Sequence, residues 1–174
     1  GMGWGLGSAF VYGVIQQLLG LNSLSYVTTW QSIVAVILLD YIVAFTVVGL
    51  AGIFRNKIKS QAVALTLGCV FVSVLRYICH VISGATVWAG LSTPPQAALS
   101  CSFVYNATYM LPESIILAAS AAYIGSVIDF RSDKLKRIVH SGSEAYSPVI
   151  SIVAGLVAAG GVIYDVVEVF SHLQ

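Results

Sequence analysis

VLRYICHVISGATVW, residues 74–88, lies inside an apolar run from Gln61 to Gly90 and carries Arg76 and, one turn later, His80. A helical span needs about 20 mainly apolar residues, so this run is long enough to cross a bilayer. A charge inside lipid costs about 3 kcal/mol on insertion scales, and an ionisable residue there marks a functional position by default. The surrounding composition agrees: of 174 residues, 58% are apolar and 9% charged, with a mean hydropathy of +0.92. The chain therefore reads as an all-α integral membrane protein, a polytopic bundle of transmembrane helices, and not as a soluble domain. A net charge of +1 gives no reason to expect a nucleic-acid partner. Cys69, Cys79 and Cys101 fall in apolar runs without metal-ligand spacing; they read as small buried hydrophobes, and no metal or cofactor is expected.

Working outward, five apolar segments separate: about Gly5–Leu21, Tyr26–Phe54, Gln61–Gly90, Ala97–Ile128 and Pro148–Phe170. Seven of the eight Lys and Arg residues lie in two loops, Arg55, Lys57 and Lys59 after the second segment and Arg131, Lys134, Lys136 and Arg137 after the fourth. If every segment crosses, the two loops share one side, which the positive-inside rule makes cytoplasmic. The loop Gly90–Ala97, with Pro94-Pro95, is then external and stiff. The organisation expected is a binding bundle over 1–128, a polar cytoplasmic loop or hairpin over 129–147 and an additional C-terminal transmembrane helix over 148–174, in a multi-pass protein of the plasma membrane. Gly3 and Gly7 form a GxxxG that could permit close helix contact, although ordinary glycine in a membrane helix is the preferred reading. The opening GMGWGLGSAF lacks a basic stretch and a cleavage site, so no signal peptide is expected; the chain reads as a piece of a longer protein or one with altered ends.

Depth along each helix, at about 1.5 Å per residue, places polar groups of three segments between the outer surface and mid-membrane. Trp30 and Tyr41 are eleven residues apart, which is three α-helical turns and one face, with Asp40 beside Tyr41. Arg76 and His80 are an i, i+4 pair, and Trp88 stands at the external end of its helix. Asn106, Tyr109 and Glu113 recur at i, i+3 and i+7, with Tyr105 one turn before Tyr109. Pro112 beside them frees a backbone carbonyl about one turn earlier. Such groups face the bundle interior. Asp40 and Glu113 against Arg76, with His80 neutral, leave a surplus carboxylate among Trp and Tyr faces, which suits an organic cation. Which acid pairs with Arg76 stays open at this point.

The runs LLDYIVAFTVVGLAGIF (38–54), LRYICHVISG (75–84) and VYNATYMLPE (104–113), in this order, resemble the thiamine-binding S-component (ThiT, YuaJ) family of energy-coupling factor transporters. The resemblance covers about residues 3–128. It implies a six-helix membrane protein that captures thiamine near the outer face and works with a transmembrane coupling subunit and two cytoplasmic ATPases. By position it places the family's acidic-Tyr pair on Asp40 and Tyr41, its basic residue on Arg76, its histidine on His80, its tryptophan on Trp88, its asparagine on Asn106 and an aromatic on Trp30. A family tyrosine five residues before the asparagine is Cys101 here, so either Tyr105 or Tyr109 supplies that contact or it is lost. The family's first two helices are missing from this chain, and the fifth segment lies outside the family pattern. The ligand-binding residues expected are thus Trp30, Asp40, Tyr41, His80, Trp88, Tyr105, Asn106 and Tyr109, with Arg76 and Glu113 supporting them from behind.

Other readings compete. In a structural or assembly protein Arg76 would pair with an acid only to register helices. A proton-linked carrier for another solute would use Asp40, His80 and Glu113 as a relay. An intramembrane hydrolase would need Ser83 with His80, but Val81 stands where a GxSG motif requires glycine and the same-helix spacing is poor for proton transfer. No enzyme is expected. No Walker motif occurs in the sequence, so any ATP drive comes from partners.

Overall fold

The structure, a computed structural model, describes residues 2–132 and 134–138, and further on residues 152, 153, 155–157, 159 and 160. Helix α1 is Met2–Leu19, followed by a 3-10 turn, Leu21–Tyr26. Helix α2 runs Trp30–Phe54, α3 Gln61–Gly90 and α4 Pro95–Val127. Strands β1, Ile128–Asp129, and β2, Lys136–Arg137, pair antiparallel in a short hairpin. The polar stretch after the fourth segment therefore folds as a hairpin where it is described; residues 139–147 lie outside the described residues. So does most of the expected fifth span, 148–170, of which the seven described residues are helical.

Among the described residues, α2, α3 and α4 are long and apolar enough to cross a membrane, which makes the chain a multi-pass membrane protein. The 18-residue α1, with Gln16 and Gln17 near its end, falls short of that measure. The distribution of side chains fits lipid as solvent. Large apolar groups such as Trp4, Leu18, Val74 and Ile115 are exposed, whereas the buried positions are mostly small, among them Ala44, Ala62, Ala98, Ser32 and Ser102. Without a hydrophobic drive between helices, small residues that let backbones approach, and short polar bridges, hold a membrane bundle together.

By contact the chain divides into two compact units, Gly1–Ile53 with Phe71–Leu111, and Phe54–Val70 with Pro112–Gln174. Helices α3 and α4 each contribute to both units, α4 continuing through Pro112.

In unit 1, α1 and α2 touch at Gly49, where a Cβ would come within 2.6 Å of Leu6 Cα, and at Gly5, whose own Cβ would meet the Gly49 carbonyl at 3.0 Å. Gly3 and Gly7, the GxxxG that could have permitted close contact, meet nothing within 4 Å of an added Cβ among the described residues, in keeping with the preferred reading as ordinary glycines. Ser32 donates to the Thr86 carbonyl (2.8 Å) and Thr28 to that of Gly90 (2.9 Å), tying α2 to the end of α3. Tyr77 donates to the Phe103 carbonyl (2.7 Å) and Ser102 to that of Val81 (2.8 Å), tying α3 to α4.

Helix α3 ends in a Schellman turn, with Thr93 N–H on the Trp88 carbonyl (3.3 Å) and Ser92 N–H on that of Ala89 (3.0 Å). Ser92 takes the left-handed conformation, φ 65°, that such a turn usually gives to glycine. Pro95 then starts α4, where its missing N–H costs nothing.

In unit 2, a Cβ on Gly125 would lie 2.8 Å from Ala62 Cα, so α3 and α4 meet closely there too. Arg131, at the hairpin, donates to the carbonyls of Lys59 (2.7 Å), Arg55 (2.8 Å) and Ile58 (2.6 Å). The two basic loops are thus in contact, as loops on one side of a membrane can be.

Candidate functional site

Helix α2 is not uniform. Thr29 caps its start by accepting the Ser32 N–H (3.2 Å), an ordinary N-cap. The chain is α-helical over Trp30–Ala35, π-helical over Val36–Val43, briefly α-helical over Ala44–Thr46 and 3-10 over Val47–Phe54. π-Helical turns are rare and concentrate at functional sites; this one contains Asp40 and Tyr41. A π-helix advances about 82° per residue against about 100° in an α-helix, so Tyr41 stands roughly a quarter turn from the face an α-helical count assigns it. Trp30, 70% exposed, does not join Tyr41 at the cavity described next.

That cavity lies within unit 1, has a volume of about 590 Å³, and is lined from α2, α3, α4 and the turn after α1. Of the residues expected to meet a ligand, Asp40, Tyr41, His80, Trp88, Tyr105, Asn106 and Tyr109 line it. Sequence reasoning missed Tyr26 and Ser23, on the 3-10 turn, and Phe45 and Gly84. For the last two a signal existed: Phe45 follows Asp40 by little more than a turn, and Gly84 follows His80 by four residues on α3. Nothing in the sequence shows that the Leu21–Tyr26 turn reaches the cavity.

Asp40 is held by His80, Nδ1 to Oδ1 at 2.9 Å, with side chains 24% and 14% exposed. The carboxylate only accepts, so Nδ1 carries the proton and Nε2 is left for another partner. Among the described residues Asp40 Oδ2 takes no hydrogen bond. Arg76 does not fill the role of partner to Asp40. Its guanidinium lies over the Phe45 ring, 5.3 Å from the centroid, and it supports a residue of the cavity wall without lining it. Glu113, exposed, belongs to unit 2 and lies outside the lining.

Tyr41 is fixed from the turn after α1. Its hydroxyl lies 3.1 Å from Ser23 Oγ, whose own hydrogen goes to the Gly20 carbonyl (2.7 Å). A Cβ on Gly20 would sit 2.3 Å from the Tyr41 hydroxyl, so any larger residue here has to displace the Tyr41 ring. Asn106, 4% exposed, spends its amide hydrogens on the carbonyls of Ser102 (2.8 Å) and His80 (3.3 Å) and on Ser102 Oγ (3.1 Å), and it accepts the Tyr109 hydroxyl. It therefore joins α3 to α4 and orients Tyr109, which packs edge-on against Tyr105 at 5.8 Å. Ser83 is fully buried and absent from the lining.

Among the described residues the lining thus carries one carboxylate, no Lys or Arg, and the six aromatic rings of Tyr26, Tyr41, Phe45, Trp88, Tyr105 and Tyr109 beside the His80 imidazole. Over residues 1–129 the sequence matches the family described as thiamine transporter protein (Thia_YuaJ). The chain belongs to that family. It is 36% identical over 124 residues to the thiamine transporter ThiT of Bacillus subtilis (strain 168), an alignment covering 66% of this chain and 63% of the relative. The chain spans under two thirds of that relative's length. No solved structure matches it. The family match ends at residue 129, so it takes in every residue of the cavity and leaves the hairpin strand β2 outside. Cys101, in place of the tyrosine that the resemblance gives the family, is exposed and off the cavity. Tyr105 and Tyr109 both stand on it.

Proposed function

We propose that this chain captures thiamine in the unit 1 cavity and serves ATP-driven uptake across the plasma membrane with a transmembrane coupling subunit and two ATPase subunits. The observation that carries the reading is the lining itself: among the described residues, a single carboxylate held by the His80 ring, with no Lys or Arg on the wall, beside aromatic faces. A thiazolium cation gains Coulomb attraction from Asp40 and cation–π contact from the rings, and a cavity of about 590 Å³ falls in the range of small-molecule sites. The aminopyrimidine can use Asp40 Oδ2 and His80 Nε2, the two polar atoms the Asp40–His80 pair leaves over. Binding requires no chemistry on the ligand, and the family is one of transporters, not enzymes.

Calorimetric titration of the purified protein with thiamine, riboflavin and biotin tests the site. Saturable binding of thiamine alone is expected, and equal or absent binding of all three would contradict it. Uptake by reconstituted vesicles tests the partners: it should require the coupling and ATPase subunits with ATP, and uptake driven by a proton gradient without them would refute this part.

A further inference from the structure

Unit 2 holds a second recess, of about 330 Å³, lined by Arg55, Asn56, Lys57, Ile58, Lys59 and Arg131. Its charged side chains are all basic. Arg131 donates to three carbonyls of the 55–59 loop, and Arg55 donates back to the Phe130 carbonyl (2.9 Å). Gln61 adds bonds to the carbonyls of Gly125 (3.1 Å) and Ile128 (2.6 Å) and accepts the Phe130 N–H (2.9 Å). These bonds hold the loop carbonyls on Arg131, while Lys57 and Lys59 remain exposed, their ammonium groups without a hydrogen bond among the described residues. The neighbouring acid, Asp129, turns one carboxylate oxygen to the N–H groups of Arg131 (2.8 Å) and Ser132 (3.3 Å). With Lys134, Lys136 and Arg137, the loop and hairpin carry seven basic residues against Asp129 and Asp133. Like charges gathered at one recess repel one another, and an anion bound among them relieves that repulsion.

The setting indicates which anion. The loop joins the ends of α2 and α3 and the hairpin follows α4, so the recess lies where all three membrane-crossing helices end. Leu135, on the hairpin, is 75% exposed among lysines, an arrangement suited to the headgroup boundary. We propose that this recess binds the phosphate of an anionic phospholipid headgroup, with Lys57 and Lys59 as its main donors and Arg131 fixing the loop that presents them. Basic clusters next to membrane helices attract anionic lipid, each residue contributing about a fivefold gain in affinity, and a phosphate oxygen accepts charge-assisted hydrogen bonds from ammonium groups.

The test is native mass spectrometry of the purified protein exposed to equal amounts of phosphatidylglycerol and phosphatidylcholine, with Lys57→Gln/Lys59→Gln as the variant. Since neither ammonium bonds to the described residues, the variant should keep the wild-type melting temperature, measured in parallel in detergent. Wild-type protein is expected to retain phosphatidylglycerol preferentially, and the double variant to lose about 25-fold in that preference, fivefold per lysine. Equal retention of both lipids, or an undiminished preference in the variant, would overturn the proposal. Displacement of the lipid by millimolar inorganic phosphate would assign the recess to a soluble anion and overturn the lipid assignment.

Discussion

In unit 1 a carboxylate, Asp40, is largely buried and held by one histidine ring at 2.9 Å; in unit 2 a guanidinium, Arg131, is exposed and held by three backbone carbonyls. The first arrangement leaves one carboxylate oxygen unspent on the wall of a cavity. The second spends the hydrogen bonds of one cation to hold other cations outward. Burial decides the consequence: Asp40 sits where electrostatic interaction is weakly screened and a single charge can select a ligand, whereas the basic loop acts through number and is sensitive to salt. Substitutions should therefore separate the two regions, ligand affinity following unit 1 and fold stability or lipid preference following unit 2.

The largest effect is expected from Asp40→Asn. It keeps the shape, removes the carboxylate that the described residues give the lining and should weaken thiamine binding about 100-fold, the scale of a partly buried charged hydrogen bond. An affinity within threefold of wild type, measured by calorimetry, would remove Asp40 from the site. Next comes Gly20→Ala. The added methyl overlaps the Tyr41 hydroxyl, which must swing away, and a loss of about tenfold is expected for one displaced aromatic contact. Gly3→Ala, which meets open space, serves as its control and should bind normally.

Arg131→Lys belongs to the other side of the comparison. A lysine cannot reproduce the planar fork that reaches three carbonyls, so a stability loss of about 1 kcal/mol is expected, seen as a lower melting temperature with unchanged thiamine affinity. The smallest effect should come from Ser92→Gly, which relieves a left-handed non-glycine residue and should raise stability by roughly 0.5 kcal/mol. A fall in melting temperature there would mean that the Ser92 side chain makes a contact worth more than the strain.

Much of this division is legible in the sequence. The apolar run of α3 coincides with the helix, Gln61–Gly90, and those of α2 and α4 agree to within a few residues, because span length and loop charge are strong local signals. Asp40, His80, Trp88, Tyr105, Asn106 and Tyr109 share a cavity as their depths suggest. What the pattern does not carry is the π-helical stretch of α2. It arises in an apolar run without Pro, Gly or charge to mark its start at Val36, and it removes Trp30 from the face of Tyr41. Pairing preference is equally hidden: a carboxylate can meet Arg76 or His80 at similar depth, and only the packed geometry selects His80. The close contact of α1 uses Gly5 and Gly49, one on each helix, so no spacing within α1 announces it. The Arg131 bonds to carbonyls are invisible for the same reason, since every residue offers a carbonyl.

Tryptophan fluorescence locates the ligand most plainly, because Trp88 lines the cavity while Trp4 and Trp30 are 85% and 70% exposed and do not. Thiamine should quench the emission of the wild-type protein and of Trp30→Phe in the same saturable manner, and Trp88→Phe should lose that quenching. Quenching that survives in Trp88→Phe and disappears in Trp30→Phe would place the ligand elsewhere and contradict the cavity as the thiamine site.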